Sequence, residues 1–353
     1  MTDARGERRD ETDQRSRRVG RIVLFGLLLT VCWVIGWQIL SLRLEAFVED
    51  WCKAQSIDGQ QITYRTSNHG GFPFAIKVTL EETVWRQQRA SGEIATHPTR
   101  VDVFVELLAP SLLKIEAPDG LVLTQTTSKQ IVAKAEHVQA SVSLNKPGPT
   151  LNLSLENATR YDEAGSILAT AQSLNLSWQG SREEIADAPS PAVPALGRLS
   201  LKATNLLTHE LAIESPANVD AKLLIRGQNK SLRSLSAWRD SGGVIDFEQL
   251  HLSWKNVYAT ADGSLTLDEQ FRPEGAGMVE VKGIESAINH FRDRGALTPT
   301  VSALMKVATA LAQRPASDGA GRSVTLPVTA QSGILSVGSF QVGRLMTLQD
   351  VSW

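Results

Sequence analysis

The 353-residue chain predicts a mainly β protein in which an N-terminal transmembrane helix leads into a large curved antiparallel meander sheet with two or three short helices. Three observations predict it. The 19-residue run 22–40 is apolar or glycine except for Thr30 and Gln38. Beyond it, apolar and polar residues alternate with a period of two, the mark of half-buried strands. Clusters of Gly, Pro and Asp punctuate that alternation, which favours sequential hairpins over crossover helices.

Residues 1–21 hold seven arginines against five acids and almost nothing apolar, the composition of a disordered tail. The 19 residues that follow would cover roughly 28 Å as a helix, about the hydrocarbon thickness of a bilayer. Residues 22–44 therefore read as a membrane anchor. The apolar run exceeds a signal-peptide core, and its exit, Gly36-Trp37-Gln38-Ile39-Leu40-Ser41, lacks the small residues a signal peptidase requires. Val31 before Cys32 is likewise too large for a lipoprotein cut. The segment thus reads as an uncleaved signal-anchor. Arg15, Arg17, Arg18 and Arg21 precede it while Arg43 stands alone just beyond, so the tail is expected in the cytoplasm and residues 45–353 on the far side. Leu44, Phe47, Val48 and Trp51 extend the helix as an apolar stripe at i, i+3, i+4, i+7.

The chain's net charge of −2 becomes −4 once the tail is set aside, which argues against nucleic-acid or anionic-lipid binding through bulk charge. Cys32 lies inside the anchor and Cys52 just past it, so no disulfide framework holds the exported part. Cys52 reads as an inert thiol, with a disulfide to a partner chain as the other reading.

Strands are expected at 101–107, 138–144, 151–155 and 199–203, where apolar positions alternate with Asp, Gln, Ser, Asn and Lys. Turns are expected at Ser91-Gly92, Pro118-Asp119-Gly120, Lys146-Pro147-Gly148-Pro149, Asp262-Gly263 and Arg272-Pro273-Glu274-Gly275. Short helices are predicted at 231–240, 284–294 and 299–313 from their caps and breakers. The segment 183–197, with Pro189, Pro191 and Pro194, is where the sheet would divide into two halves. Three apolar alternations end on Ser-Trp, at Trp178, Trp254 and Trp353, with Trp85 a looser echo. They read either as similar strand ends placing an aromatic at one edge of the sheet, or as an aromatic ligand platform.

A dozen one-sided strands present an apolar face that three helices cannot cover, and bare apolar surface costs roughly 25 cal/mol per Å². A sandwich, a barrel or a groove that takes up something greasy would resolve this. Catalytic chemistry finds no foothold. The six histidines are scattered without metal-ligand spacing, and no G-x-S-x-G elbow, P-loop or dinucleotide fingerprint occurs. No metal, cofactor or catalytic residue is expected. The most distinctive string is Asn68-His69-Gly70-Gly71-Phe72-Pro73-Phe74, a corner between strands or a recognition loop built on Gly70, Gly71, Phe72, Pro73 and Phe74.

An export anchor, that Gly-Gly-Phe-Pro-Phe string opening a strand, the run Asp262–Asp268 followed by Arg272-Pro273-Glu274-Gly275, and a closing Ser332–Gly338 with Val342-Gly343 together resemble a bacterial domain-of-unknown-function family of inner-membrane-anchored periplasmic proteins. More distantly the pattern is similar to the AsmA-like proteins. At the close, Arg344 and Leu345 stand where the family pattern would place a proline. The resemblance implies a single-pass protein of the bacterial inner membrane, its bulk periplasmic, acting in envelope lipid handling or outer-membrane assembly, and it carries over no catalytic residue. The expectation is a non-enzymatic protein whose sheet shields an apolar groove for lipid acyl chains or a hydrophobic partner. The alternative is an envelope scaffold that binds another protein by its sheet edge, its core closed on itself.

Overall fold

The computed structural model describes residues 4–55, 60–89, 92–125, 130–143, 148–162, 164–180, 193–208, 213–228, 235–295, 298–315, 322–338, 340–345 and 347. They form one large antiparallel sheet with four helices. Helix α1 (Ala4–Gln55) is continuous from Ala4, so the tail expected to be disordered is helical from that residue. Its Arg, Glu and Gln are good helix formers, and the adjoining apolar helix removes the cost of nucleation.

Within α1 the stretch Val23–Ala54 is long and apolar enough to cross a membrane. Its large apolar side chains from Val23 to Ile35 are 44% to 64% exposed, so this half stands clear of the sheet. The second half docks. Trp37 Nε1 donates to Ala75 O at 2.7 Å, Ser67 Oγ donates to Glu45 at 2.6 Å, and Val48 and Cys52 are buried against Val78, Leu80 and Val103.

The chain then runs through β1 (Gln60–Thr63), β2 (Thr66–Gly70), β3 (Ala75–Glu81), β4 (Val84–Arg89), β5 (Gly92–Thr96), β6 (Arg100–Glu106), β7 (Leu112–Ala117), β8 (Leu121–Gln125), β9 (Gln130–Ala135), β10 (His137–Ser143) and β11 (Thr150–Tyr161). These make two leaves. One pairs β2, β3, β6, β7 and β10 in that order; the other pairs β1, β4, β5, β8 and β9. Successive hairpins alternate between the leaves. Both leaves end on β11, whose first half pairs with β10 while Thr159 and Arg160 pair with β9.

From β11 onward the sheet is a plain meander through β12 (Ile167–Gly180), β13 (Ala195–Thr208), β14 (Ile213–Arg226), β15 (Val244–Trp254), β16 (Val257–Leu267) and β17 (Pro273–Lys282). Helix α2 (Leu235–Asp240) lies between β14 and β15; the first four residues of the helix expected at 231–240 fall outside the described residues. Helices α3 (Ile284–Asp293) and α4 (Pro299–Ala312) follow β17 as expected. The chain closes with β18 (Arg314–Pro315), β19 (Arg322–Gln331), which pairs with β17, then β20 (Ile334–Val337) and β21 (Phe340–Arg344).

The proline-rich segment does not split the sheet: β12 and β13 flank it and pair directly, Gly180 opposite Gly197, giving one ladder rather than two halves. Asp262-Gly263, expected as a turn, lies in the middle of β16. Gly263 faces Gly277 across the ladder at φ +155°, and a Cβ there would come within 2.6 Å of Ala276 O, so the glycine marks a close backbone approach. The turn lies earlier than Arg272-Pro273-Glu274-Gly275. Asp268 Oδ1 accepts from the backbone N–H groups of Gln270 and Arg272, and Pro273 begins β17. Gly70 belongs to β2, opposite Lys77, which shrinks the expected corner to 71–74.

On the outer side of the first leaf Asp102 is buried at 4% exposure and receives Lys77 Nζ at 2.8 Å, Arg100 Nη2 at 2.8 Å and Thr79 Oγ1 at 2.7 Å. Burial alone would raise this carboxyl, but the hydrogen bonds from Arg100, Lys77 and Thr79 outweigh it and hold the group below its ordinary value. The stabilisation is therefore complete above the ordinary carboxylate value, about 4, and is lost as pH falls through the folded value. Because the two cations are partly exposed, Asp102→Ala is expected to cost about 2 kcal/mol, less than a fully buried pair. Thermal unfolding of the full chain against pH checks this: the gap between wild type and variant should close at low pH, and a gap independent of pH would refute the linkage.

Candidate functional site

Register turns the alternation read in the sequence into continuous apolar rows. Ile115, Ala140, Leu153, Leu176, Leu201, Ala221, Leu250, Ala261, Val279 and Leu326 stand opposite one another from β7 to β19. A parallel row runs from Ala117 through Val138, Leu155, Leu174, Ala203, Val219, Leu252, Ala259 and Val281 to Val324. Among the described residues, helices cover this face at its ends. α1 packs on β3 and β6, while Ile284 and Ile288 of α3, with Met305 of α4, pack on Val281, Val324 and Leu326. Most residues of the rows between are only half-buried.

Where the two leaves face each other the apolar surface becomes concave. A cavity of 450 Å³ is walled by Leu80, Val101, Val103, Leu113, Ile115 and Val142 of one leaf, by Ile62, Trp85 and Leu121 of the other, and by Phe47, Val48, Trp51 and Cys52 of α1. A second, of 460 Å³, follows where the leaves converge on β11, lined by Leu121, Leu123, Ala133, Val138, Leu153, Leu155, Leu174 and Leu206. Leu121 lines both. Each volume falls in the range of small-ligand sites, roughly 300–1,000 Å³. Two hydroxyls interrupt the first wall: Thr83 and Thr96 are 6% and 2% exposed, line the cavity on the Trp85 side, and their Oγ1 atoms have no protein partner. A buried hydroxyl without a hydrogen bond costs about 1–3 kcal/mol, so these two weaken this wall of the cleft.

The opposite face is also hollowed, but its polar groups satisfy one another. Asn152 Nδ2 donates to Ser141 at 3.3 Å, Ser154 to Asn175 at 2.8 Å and Ser177 to Asn152 at 2.7 Å. Among the described residues no group of three or more His, Cys, Asp or Glu could hold a metal ion. Among the described residues, the carboxyls that are clearly perturbed are held below their ordinary values: Asp102, Glu248 through the Arg198 fork, and Asp268, where burial is outweighed by the Arg272 backbone and side chain. Groups held in this way are built for ion pairing rather than for proton transfer near neutral pH.

The sequence-marked residues scatter. Trp85, opposite Thr96, lines the first cavity. Trp178 stands opposite Leu151 and Leu199 at one border of the apolar face, whereas Trp254 stands opposite Ala217 at the other, buried under α3 with the His290 ring 4.6 Å away. The expected common edge is absent because β12 and β15 run in opposite directions, which puts similar strand ends on opposite borders. Trp353 lies outside the described residues. The corner of Gly71, Phe72, Pro73 and Phe74 is held against α1, with the Phe72 ring edge-on to Trp37 at 5.4 Å. Sequence reasoning passed over Thr83, Thr96 and Leu121. Strands of five or six residues carry little alternation, and the pairings of β4 with β5 and of β5 with β8 bring these residues to one wall.

A family model described as "Uncharacterized protein conserved in bacteria (DUF2125)" matches residues 37–346, beginning at the tryptophan through which α1 first bonds to the sheet. No curated protein and no solved structure matches the chain.

Proposed function

The chain belongs to this DUF2125 family of bacterial proteins, and from that premise we propose that it is a non-enzymatic protein anchored by α1 in the inner membrane, its sheet in the periplasm sheltering the acyl chain of a lipid. The observation that carries this reading is the pair of apolar cavities that meet at Leu121 as a common lining residue, the first walled in part by the same helix that would cross the bilayer. From Ser41 to Phe47 is six residues, so the cavity lies roughly 9 Å along the helix from the end of a 20-residue span. Arg15, Arg17, Arg18 and Arg21 before the span favour a cytoplasmic N-terminus. The acyl chain enters between the leaves, its methylenes against the apolar side chains of both. Such a site suits envelope lipid handling, the role the distant AsmA-like likeness implies.

The alternative, a scaffold with a closed core that binds another protein by its sheet edge, is disfavoured by the same cavities. Photocrosslinking of the full-length protein in bilayer nanodiscs with diazirine-bearing palmitate tests the choice. Adducts on the α1 peptide containing Phe47 and Trp51 and on strands β6 to β8 are expected. Adducts confined to the span before Trp37 would show that the cleft takes up no acyl chain, and a single protein adduct in cells in place of lipid would favour the scaffold.

A further inference from the structure

Three exposed apolar side chains form a tip beside α1. Phe72 is 50% exposed, Phe74 70% and Leu108 92%. Gly71, at φ +96°, starts the turn that carries the two phenylalanines, and the Leu107 N–H donates to Phe74 O at 2.9 Å, which fixes Leu108 beside them. The tip is tied to one level of the helix, because Trp37 donates to Ala75 O and meets the Phe72 ring. Counting from Ile22, the first residue after Arg21, about 20 residues of untilted helix reach across the hydrocarbon core and end at Ser41. Trp37 lies four residues before that end, within roughly 6 Å of the boundary. Amphipathic rings near this boundary settle in the interfacial belt, where apolar faces meet hydrocarbon and polar edges meet water. The groups beyond turn polar: Gln38 faces His69 at 3.4 Å, and Glu45 accepts from Ser67.

We propose that Phe72, Phe74 and Leu108 form a second membrane contact, a tip of the sheet that inserts into the outer interfacial layer of the bilayer beside Trp37 and fixes the tilt of the sheet relative to the membrane. The contact rests on α1 being the membrane span and not on lipid uptake by the cleft. Its occupant is the bilayer, because the tip meets α1 at Trp37, two residues past the exposed apolar stretch of Val23 to Ile35.

The test uses the full-length chain with Cys32→Ala and Cys52→Ala, labelled with an environment-sensitive NBD fluorophore at Phe74→Cys, Leu108→Cys, Val34→Cys in the span, or Ser177→Cys on the polar face. Each is reconstituted into phosphatidylethanolamine and phosphatidylglycerol vesicles containing doxyl-labelled lipid. Blue-shifted emission and a quenching loss at 74 and 108 approaching that at 34, with none at 177, is the expected result. Quenching at 34 with 74 and 108 no different from 177 would leave the anchor standing and overturn the tip. A blue shift at 74 without lipid quenching would mean that protein, such as a second copy, covers the tip, and would overturn it equally. An unquenched 34 would overturn the anchor, and the tip with it.

Discussion

Palmitate uptake by the full-length protein is expected to collapse when Leu121 is replaced by tryptophan. Leu121 is the one residue common to the linings of both cavities, so an acyl chain that occupies both must pass it, and an indole there would obstruct that route. Each methylene kept out of the second cavity costs about 0.8 kcal/mol, so excluding about five of them would lower affinity about a thousandfold. Octanoate, short enough for one cavity, should bind with little change, so chain-length dependence separates a blocked passage from a damaged fold. Competition against the diazirine palmitate in nanodiscs reads both. Equal affinity of wild type and Leu121→Trp for palmitate would show that the two cavities do not act as one site.

Trp238→Ala is expected to produce the largest loss of stability, about 3–5 kcal/mol for a buried tryptophan truncated to alanine. Trp238 is 2% exposed, and its Nε1 donates to Arg226 O at 2.7 Å. The ring fills a slot bounded by two glycines: a Cβ on Gly243 would lie 2.3 Å from the indole and one on Gly227 2.8 Å. Around it, Arg226 pairs with Asp246 at 2.6 Å and the Arg239 guanidinium lies 4.5 Å from the centre of the Phe271 ring. The indole thus joins α2 to the adjoining ends of β14 and β15, far from the cleft. Trp238→Phe should recover the packing but leave Arg226 O without its donor, a residual cost of about 1–3 kcal/mol. Urea midpoints of the full chain in nanodiscs check the order wild type, Phe, Ala; an alanine variant as stable as wild type would mean that the slot collapses without cost.

The parts of this fold that are local were legible in the sequence. The apolar run gives α1, the alternation at 138–144 and 151–155 gives β10 and β11 with the correct face inward, and Pro118-Asp119-Gly120 gives a turn in place. What was misread is what depends on partners. Asp262-Gly263 has the composition of a turn, yet its glycine serves close approach to Gly277 in mid-strand. The leaves rest on pairings between strands that are not neighbours in the chain, β3 with β6, β5 with β8 and β7 with β10, and such pairings leave no mark in a window of ten residues. The candidate site sits between those leaves, so an apolar face too large for the helices to cover was legible from the surplus of one-sided strands, while the way it is resolved and the lining of the cleft were not.

The alternation of hairpins between the leaves sets the order in which the molecule can be assembled. Neither leaf is a contiguous stretch of chain: the second is complete with β9, the first only with β10, and β11 then joins the two ladders. Until β11 is in place the leaves have no strand in common, and the apolar walls of the cleft can part from each other. Each strand from β12 to β17 then needs only the strand before it, and can be added one at a time to leaves that are already joined.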